Sequence, residues 1–574
     1  MRRPKTLLAL SLAASAFAIG AWTVAADAGA PEKPAPLAAA PLSAANGQIV
    51  AMRRLSESQY RSAIADIFGP DITVAGRFEP VVRPVGELIA SGSSDAAISP
   101  AGLEQFDAMA RVIAGQVFND AHRSQFSDCA PADASAADAA CADRILAPLG
   151  RYLFRRPLTA EEQAFYVKLA GSGAGPTKSF YKGTELALAA MLTSPSFLYI
   201  VETAEPDPSR PGELRLDNYS RATRLSMTLW NTTPNDMLLD AAAAGSLTDQ
   251  AKLEAIANRM TQSPRMESGV RAFFADMLKF EKFDEMAKDP VIYPYFNQDV
   301  LKALPEQMLR TISDHLLTRN GDYRDLFTTR RTFMTRALGG IYQVRVPTSD
   351  GWVPYEFSPS DDRAGLLGQA GFLALYSHSG RSSPTLRGRA IRELMMCQPV
   401  PNPPGNVNFT AVQDTENKAM PTARIRLSAH NSDPVCAACH KITDPPGLSL
   451  EKFDGIGKYR AAENGAQIDI NGALGKASFN GGFGLGQAMN ASGATTQCVA
   501  SRALEYTTGR PTSDETLVQS TEKAFAAKGY GIRSLFFQVM TSPANWRVPK
   551  SAPVGATHVS LNRQNTAREK TDGL

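Results

Sequence analysis

The stretch Asp433-Pro434-Val435-Cys436-Ala437-Ala438-Cys439-His440-Lys441-Ile442-Thr443-Asp444-Pro445-Pro446-Gly447 decides how the rest of the chain is read. Cys436, Cys439 and His440 make the spacing C-x-x-C-H. On a helical turn, positions i, i+3 and i+4 share a face. Two thiols can then bond the porphyrin vinyl groups while the adjacent imidazole meets the iron from the same side. With six cysteines and six histidines in 574 residues, chance would produce the pattern in about one such sequence in a thousand. The expected cofactor is a covalent haem c, with His440 as proximal iron ligand. Three other readings compete. Thiol–disulfide exchange wants a βαβ setting, of which the flanking sequence gives no sign. A structural zinc needs a fourth ligand, which Cys397 or Cys498 would have to supply from a distance. The pair could also close a tight disulfide.

Composition excludes little else. Sixty basic against 57 acidic residues leave a net charge of +3, and no run of Lys or Arg is interleaved with aromatics, so nucleic acid is not an expected partner. With 44% apolar residues the chain is of globular type, and its length exceeds what one core accommodates. The N-terminus reads as an address. Arg2, Arg3 and Lys5 precede an apolar run over 7–21, and Ala26-Asp27-Ala28 offers small residues for cleavage, giving a signal peptide over 1–28. Pro4 and Lys5 spoil Arg2-Arg3 as a twin-arginine signal. The apolar character persists to Ala26, so an uncleaved anchor is the alternative and the only expected route to a membrane. An Ala/Pro-rich linker over 29–48 follows. Export implies a periplasmic, secreted or cell-surface location, an oxidising one. There the four remaining cysteines are expected to pair as Cys129–Cys141, close in sequence, and by elimination Cys397–Cys498. The second would clamp the segment before the C-x-x-C-H motif to the helix after it. The alternative is a buried free thiol.

The body of the chain reads as helical. Ser56 and Gln59 form a capping box ahead of Tyr60, Ile64, Ile67 and Phe68 on one face, and Thr159 with Glu162 repeats the device. Arg155-Arg156 reads as a solvated face or local salt bridges. Ser194-Pro195, Ser263-Pro264 and Ser542-Pro543 mark helix corners. Asp217 caps a helix carrying Leu225 and Leu229, and Thr248 opens another. His315 and Trp230 are read as structural. From 347 to 361 the chain turns to Gly, Pro, Ser and Asp, the boundary to the unit carrying the motif. Residues 376–384 form a polar loop between two helices, 399–404 are stiff, and Ile468-Asp469-Ile470-Asn471-Gly472 reads as a hairpin with an Asn-Gly turn. Gly481-Gly482-Phe483-Gly484 reads as a loop closing over a haem edge.

The residues flanking the motif carry a resemblance. Ser383-Pro384-Thr385-Leu386-Arg387-Gly388, the prolines up to Pro404, and His430…Pro434-x-Cys436-x-x-Cys439-His440 belong to it. So does Asp444-Pro445-x-Gly447-x-x-Leu450-Glu451-x-Phe453-Asp454-x-Ile456-Gly457-x-Tyr459-Arg460. Further pieces are Arg53-Arg54-Leu55…Tyr60-Arg61, Arg155-Arg156-Pro157-Leu158-Thr159, Leu216-Asp217…Arg224-Leu225-Ser226…Leu229-Trp230 and Tyr506-x-x-Gly509-Arg510. Together they resemble the large secreted bacterial proteins built from consecutive domains of unknown function 1592, 1588 and 1585, which are described as cytochrome-c-like. The resemblance spans most of 50–550 and departs from the pattern at Asn402 and Thr335. It implies a haem-binding, electron-transfer role.

The fold class expected is mainly α: a multi-helical bundle body, then a cytochrome-c-like helical haem region with a small β-hairpin. The expected domains are an N-terminal helical one over 49–205, a central helical one over 206–345, the C-x-x-C-H domain over 346–462, a hairpin and helices over 463–548, and a tail over 549–574. At the haem, a carbonyl of a loop bent by Pro445, Pro446 and Gly447 is expected to orient His440. Lys458, Tyr459 and Arg460 are placed to meet the propionates or to form a solvated helix end. For the sixth iron ligand Met489 ranks first, by its order in the chain. His378, in the polar loop, comes second, then His430, with Met420 a weaker option. The leading function is exported single-haem electron transfer to a redox partner protein. The runners-up are a peroxidase-like enzyme on an extracellular substrate, with His378, Asp444 or Glu451 as acid/base groups, and a non-haem scaffold or zinc-stabilised protein.

Overall fold

Side-chain caps set the helix starts where the sequence pattern puts them. The Ser56 hydroxyl accepts from the Gln59 amide and the Gln59 side chain returns the bond, opening the helix Glu57–Phe68. Thr159 and Glu162 do the same for Ala160–Thr177, and Asp217 accepts from the Ser220 amide at the head of Asn218–Leu229. One start differs: Asp249 rather than Thr248 caps Gln250–Gln262, because its carboxylate reaches the Lys252 amide. The computed structural model describes residues 47–126, 129–402, 417–430 and 434–548, and the side chains of residues 429–430 and 434–436 are outside that description. The leader, the linker up to residue 46 and the tail from 549 therefore lie outside it. Within it the protein is mainly helical with a few small antiparallel sheets. No helix of the described residues is long and apolar enough to cross a membrane.

The largest sheet was not legible as strands. Gln48–Arg54 pairs antiparallel with Tyr199–Pro206, which pairs in turn with Leu214–Leu216. Glu202 sits on the buried side of its strand, where alternation calls for an apolar residue. It is held there by Arg224, at 2.6 and 2.9 Å, and by Arg53 at 3.6 Å. Arg155, expected on a solvated face, is buried instead and donates to the carbonyls of Ser196 and Phe197, while Arg156 makes the local bridge to Glu162. His315 and Trp230 are structural as read, donating to or pairing with the carbonyls of Asp322 and Met260. One continuous apolar cluster runs from Leu88 through Phe273 and Phe372 to Trp546, so segments read as separate units share a core.

The motif-bearing region is organised by a close crossing of two helices, Pro384–Ala390 and Pro434–Leu448. A Cβ on Gly388 would lie 1.7 Å from the Thr443 carbonyl oxygen, and one on Gly447 would lie 1.8 Å from that of Pro384. Only glycine fits at either position. Beside them Arg387, with no exposed surface, donates to the carbonyls of Leu450 (3.1 Å), Phe453 (2.8 Å) and Asp454 and meets the Glu451 carboxylate at 3.2 Å. Burial lowers the Arg387 pKa and Glu451 opposes that effect.

Several local expectations are corrected here. Pro445 and Pro446 lie inside the helix Pro434–Leu448 and not in a loop after it; the carbonyl of Ile442 that Pro446 cannot serve accepts from Arg392 Nε at 3.1 Å. Asn471-Gly472 begins a strand, Asn471–Leu474, and the turn to Ala477–Asn480 falls at Gly475, whose φ is +62°. Gly481 to Gly484 open the helix Gly481–Asn490, the Gly482 and Phe483 amides donating to the Asp362 carboxylate, so they do not form a loop over a ligand. Both expected disulfides are present: Cys129–Cys141, and Cys397–Cys498, which ties the turn after Ile391–Met395 to the helix Gly493–Thr508.

Gly388→Ala and Gly447→Ala should each destabilise the fold by roughly 3 kcal/mol, because a backbone carbonyl cannot move aside. Gly493→Ala, in open space, should be neutral. Urea titration of the three variants checks the difference, and equal midpoints would contradict it.

Candidate functional site

The helix Pro434–Leu448 presents Cys439, His440 and Thr443 to a cavity of about 370 Å³. Apolar walls come from Leu386, Val400, Pro401 and Leu427, and the polar lining includes His378, Arg381 and Arg426. Cys436 lies on the same helix, one turn before Cys439, and its side chain is outside the described set, as is that of His430. The Cys439 thiol takes no part in a disulfide.

His440 is oriented from its own helix. Its Nδ1 lies 2.9 and 3.0 Å from the two carboxylate oxygens of Asp444, one turn on. A carboxylate accepts, so Nδ1 carries the proton and Nε2 is the nitrogen with a lone pair to offer. Asp444 is buried and is itself held by the hydroxyls of Thr385 (2.8 Å) and Thr443 (3.3 Å). The expectation of a backbone carbonyl in this role is corrected: a carboxylate does the work, because the helix runs through Pro445 and places Asp444 one turn after His440.

The second expected iron ligand is placed elsewhere. Met489 is fully buried in the apolar core on the helix Gly481–Asn490 and is not among the cavity-lining residues, and neither is Met420. The helix turns Met489 inward because its amphipathic face also carries Leu485 into that core. His378, by contrast, lines the same cavity as His440. His378 belongs to an exposed loop, yet it packs closely enough for burial, with the charges of Arg381 and Lys288, to lower its pKa to about 4. It is neutral at physiological pH, with a ring nitrogen able to bind a metal.

Arg381 is the residue that sequence reasoning missed. It lines the cavity, and no hydrogen bond or ion pair from its guanidinium is found among the described residues. Burial, then the nearby Arg426, lower its pKa, an expense an anion in the cavity would relieve. Its only signal in the sequence is a lone charge in a loop of Ser and Gly. The three residues read as propionate partners do not line the cavity: Arg460 is engaged by Glu451 and Ser382, Lys458 lies over the Tyr295 ring, and Tyr459 is exposed. Glu451 is fully committed to Arg387, Arg460 and Ser382. No group of three or more metal-binding side chains occurs among the described residues, and Cys397 and Cys498 use their sulfurs on each other, so neither can complete a zinc site with Cys439. A larger cleft of about 910 Å³ lies at the N-terminal strand, where Arg54 pairs with Glu79 and Arg83 with Glu281, while burial and the nearby Glu57, Glu281 and Glu285 raise the pKa of Asp284.

Four family models match the chain in order. Residues 141–202 match a protein of unknown function (DUF1595), 216–344 one described likewise (DUF1592), 363–463 a third (DUF1588, short name PSCyt3) and 475–544 a fourth (DUF1585). The chain carries the DUF1592, DUF1588 and DUF1585 domains in consecutive order, with DUF1595 ahead of them. No curated protein and no solved structure matches it. Every residue lining the 370 Å³ cavity falls within the PSCyt3 match.

Asp444→Ala would remove the acceptor shared by His440 Nδ1 and the Thr385 and Thr443 hydroxyls and should cost roughly 1–3 kcal/mol, with Asp444→Asn restoring most of it. Chemical unfolding of the two variants reads the difference, and an unchanged midpoint for Asp444→Ala would contradict the assignment.

Proposed function

We propose that the protein is an exported single-haem c-type electron-transfer protein, its haem bonded to Cys436 and Cys439 with His440 as the proximal iron ligand. The observation that carries this reading is the arrangement around the motif: C-x-x-C-H on a helix, an imidazole aligned by Asp444, and an apolar cavity beside both with a cation at its edge. The donor set suits haem. Leu386, Val400 and Leu427 offer apolar contact to a macrocycle, and Arg381 offers an unengaged guanidinium to a propionate.

The haem would supply a single-electron couple, ferric to ferrous and back, between a donor and an acceptor protein. The chain's own residues do the rest. Asp444 fixes the tautomer of His440 and raises its basicity, which favours the ferric state. The apolar walls would limit the water that reaches the iron, and the Cys397–Cys498 bond and the Arg387 cluster brace the helices that carry the cavity. The two disulfides support an oxidising destination, periplasm or cell surface. A second reading rests on His378 and Arg381 lining one cavity, a base and a cation that an oxidative enzyme with an open iron position would use to move a proton and stabilise charge. Turnover of peroxide distinguishes it.

The full-length chain expressed with cytochrome c maturation machinery should yield a pyridine haemochrome of c type at one haem per chain. The double variant Cys436→Ala, Cys439→Ala should lose all covalent haem. A colourless wild type, or undiminished covalent pigment in the double variant, would overturn the proposal.

A further inference from the structure

The sixth position on the iron is the point at which the cavity says more than the motif does. Among the described side chains lining it, the groups able to bind iron through nitrogen or sulfur are Cys439, His440 and His378. Cys439 is committed to the porphyrin and His440 to the proximal face. The methionine expected from chain order is buried in another part of the core.

His378 is also held in place. Its loop is tied at both ends and supported underneath. Ser377 donates to the Gly455 carbonyl at 2.6 Å, and the buried Ser382 donates to Glu451 at 2.8 Å. The backbone closes on itself between the His378 amide and the Arg381 carbonyl, at 3.0 Å. From below, the Lys288 ammonium donates to Ser377 Oγ at 2.6 Å and to the carbonyls of Ala374 and His378 at 2.8 and 3.1 Å. The loop packs against Ile292, whose Cδ1 would lie 2.8 Å from a Cβ on Gly380. A loop that sequence alone marks only as polar is thus built as a bracket. Two of its side chains, His378 and Arg381, reach one cavity three residues apart.

We infer that His378 is the distal axial ligand, so that the haem is clamped between two histidines, with Lys288 as the residue that positions the loop and Arg381 as the propionate partner. The inference rests on the haem reading above. Two imidazoles place the couple at lower potential than a histidine–methionine pair, because a thioether favours the ferrous state. The class of partner narrows accordingly, to low-potential donors and acceptors.

The test uses the haem-loaded full-length chain, with haem content measured on every sample. The wild type should be low-spin in both oxidation states, with the electron paramagnetic resonance signature of two imidazoles and no far-red sulfur-to-iron band. His378→Ala should keep its covalent haem, turn high-spin when ferric and bind carbon monoxide at once when ferrous. His378→Met should gain the sulfur-to-iron band with a raised potential, and Lys288→Met should become partly high-spin. His430→Ala should change none of these. If the haem is present but the wild type is high-spin, or carries the methionine band, or is unaltered by His378→Ala, the ligand assignment falls and the haem reading stands. If no haem is incorporated, both fall.

Discussion

The functional region depends on two helices meeting closer than side chains allow. At Gly388 and Gly447 the helix backbones are in contact, and the positions next to that contact are the ones that matter chemically: Thr385 and Arg387 on one helix, Thr443 and Asp444 on the other. Close approach brings Thr385 within hydrogen-bonding distance of Asp444, which fixes His440. The same approach lets Arg387 reach over to the turn from Leu450 to Asp454, satisfying three carbonyls and one carboxylate without water. Loosening the crossing would disturb the imidazole and the turn together, since both hang on residues adjacent to the glycines.

A buried guanidinium is costly unless every charge and carbonyl around it is matched. The protein uses that device repeatedly: Arg224 and Arg53 on Glu202, Arg155 on the carbonyls of Ser196 and Phe197, Arg363 on those of Gly368 and Gly457. These arginines are dispersed in sequence, with Arg155, Arg224 and Arg363 in three different family matches, yet each closes a junction between segments apart in the chain. Arg381 differs from them. Among the described residues it is a cation at the cavity edge with no ion pair to a protein anion, which is why it reads as a ligand contact and not as a joint.

Legibility from sequence followed the range of the interaction involved. Caps, which act over three residues, were read correctly at Ser56, Thr159 and Asp217, and the missed cap at Asp249 was off by one position. Cysteine pairing was legible because, with the C-x-x-C pair set aside, four cysteines remain and two of them are close in sequence. The three-stranded sheet was not, because Gln48–Arg54 meets its partner about 150 residues later and buries a glutamate where alternation calls for an apolar side chain. The hairpin turn was misplaced because Asn471-Gly472 carries the favoured dipeptide while Gly475 carries the positive φ. At the site, spacing located Cys439 and His440, but chain order pointed to Met489 when packing puts it in the core. The role of Asp444 was hidden because a double proline signals the end of a helix, and here Arg392 compensates for the lost hydrogen bond and the helix runs on.

Everything functional in this account turns on covalent attachment at one helical turn. The most direct measurement is peptide mass spectrometry of protein exported by a host that installs haem c, examining the tryptic fragment from Leu427 to Lys441. The account predicts that this peptide carries one tetrapyrrole bonded through both of its cysteines. Recovery of the same peptide without added mass, or with Cys436 and Cys439 joined to each other, would contradict it.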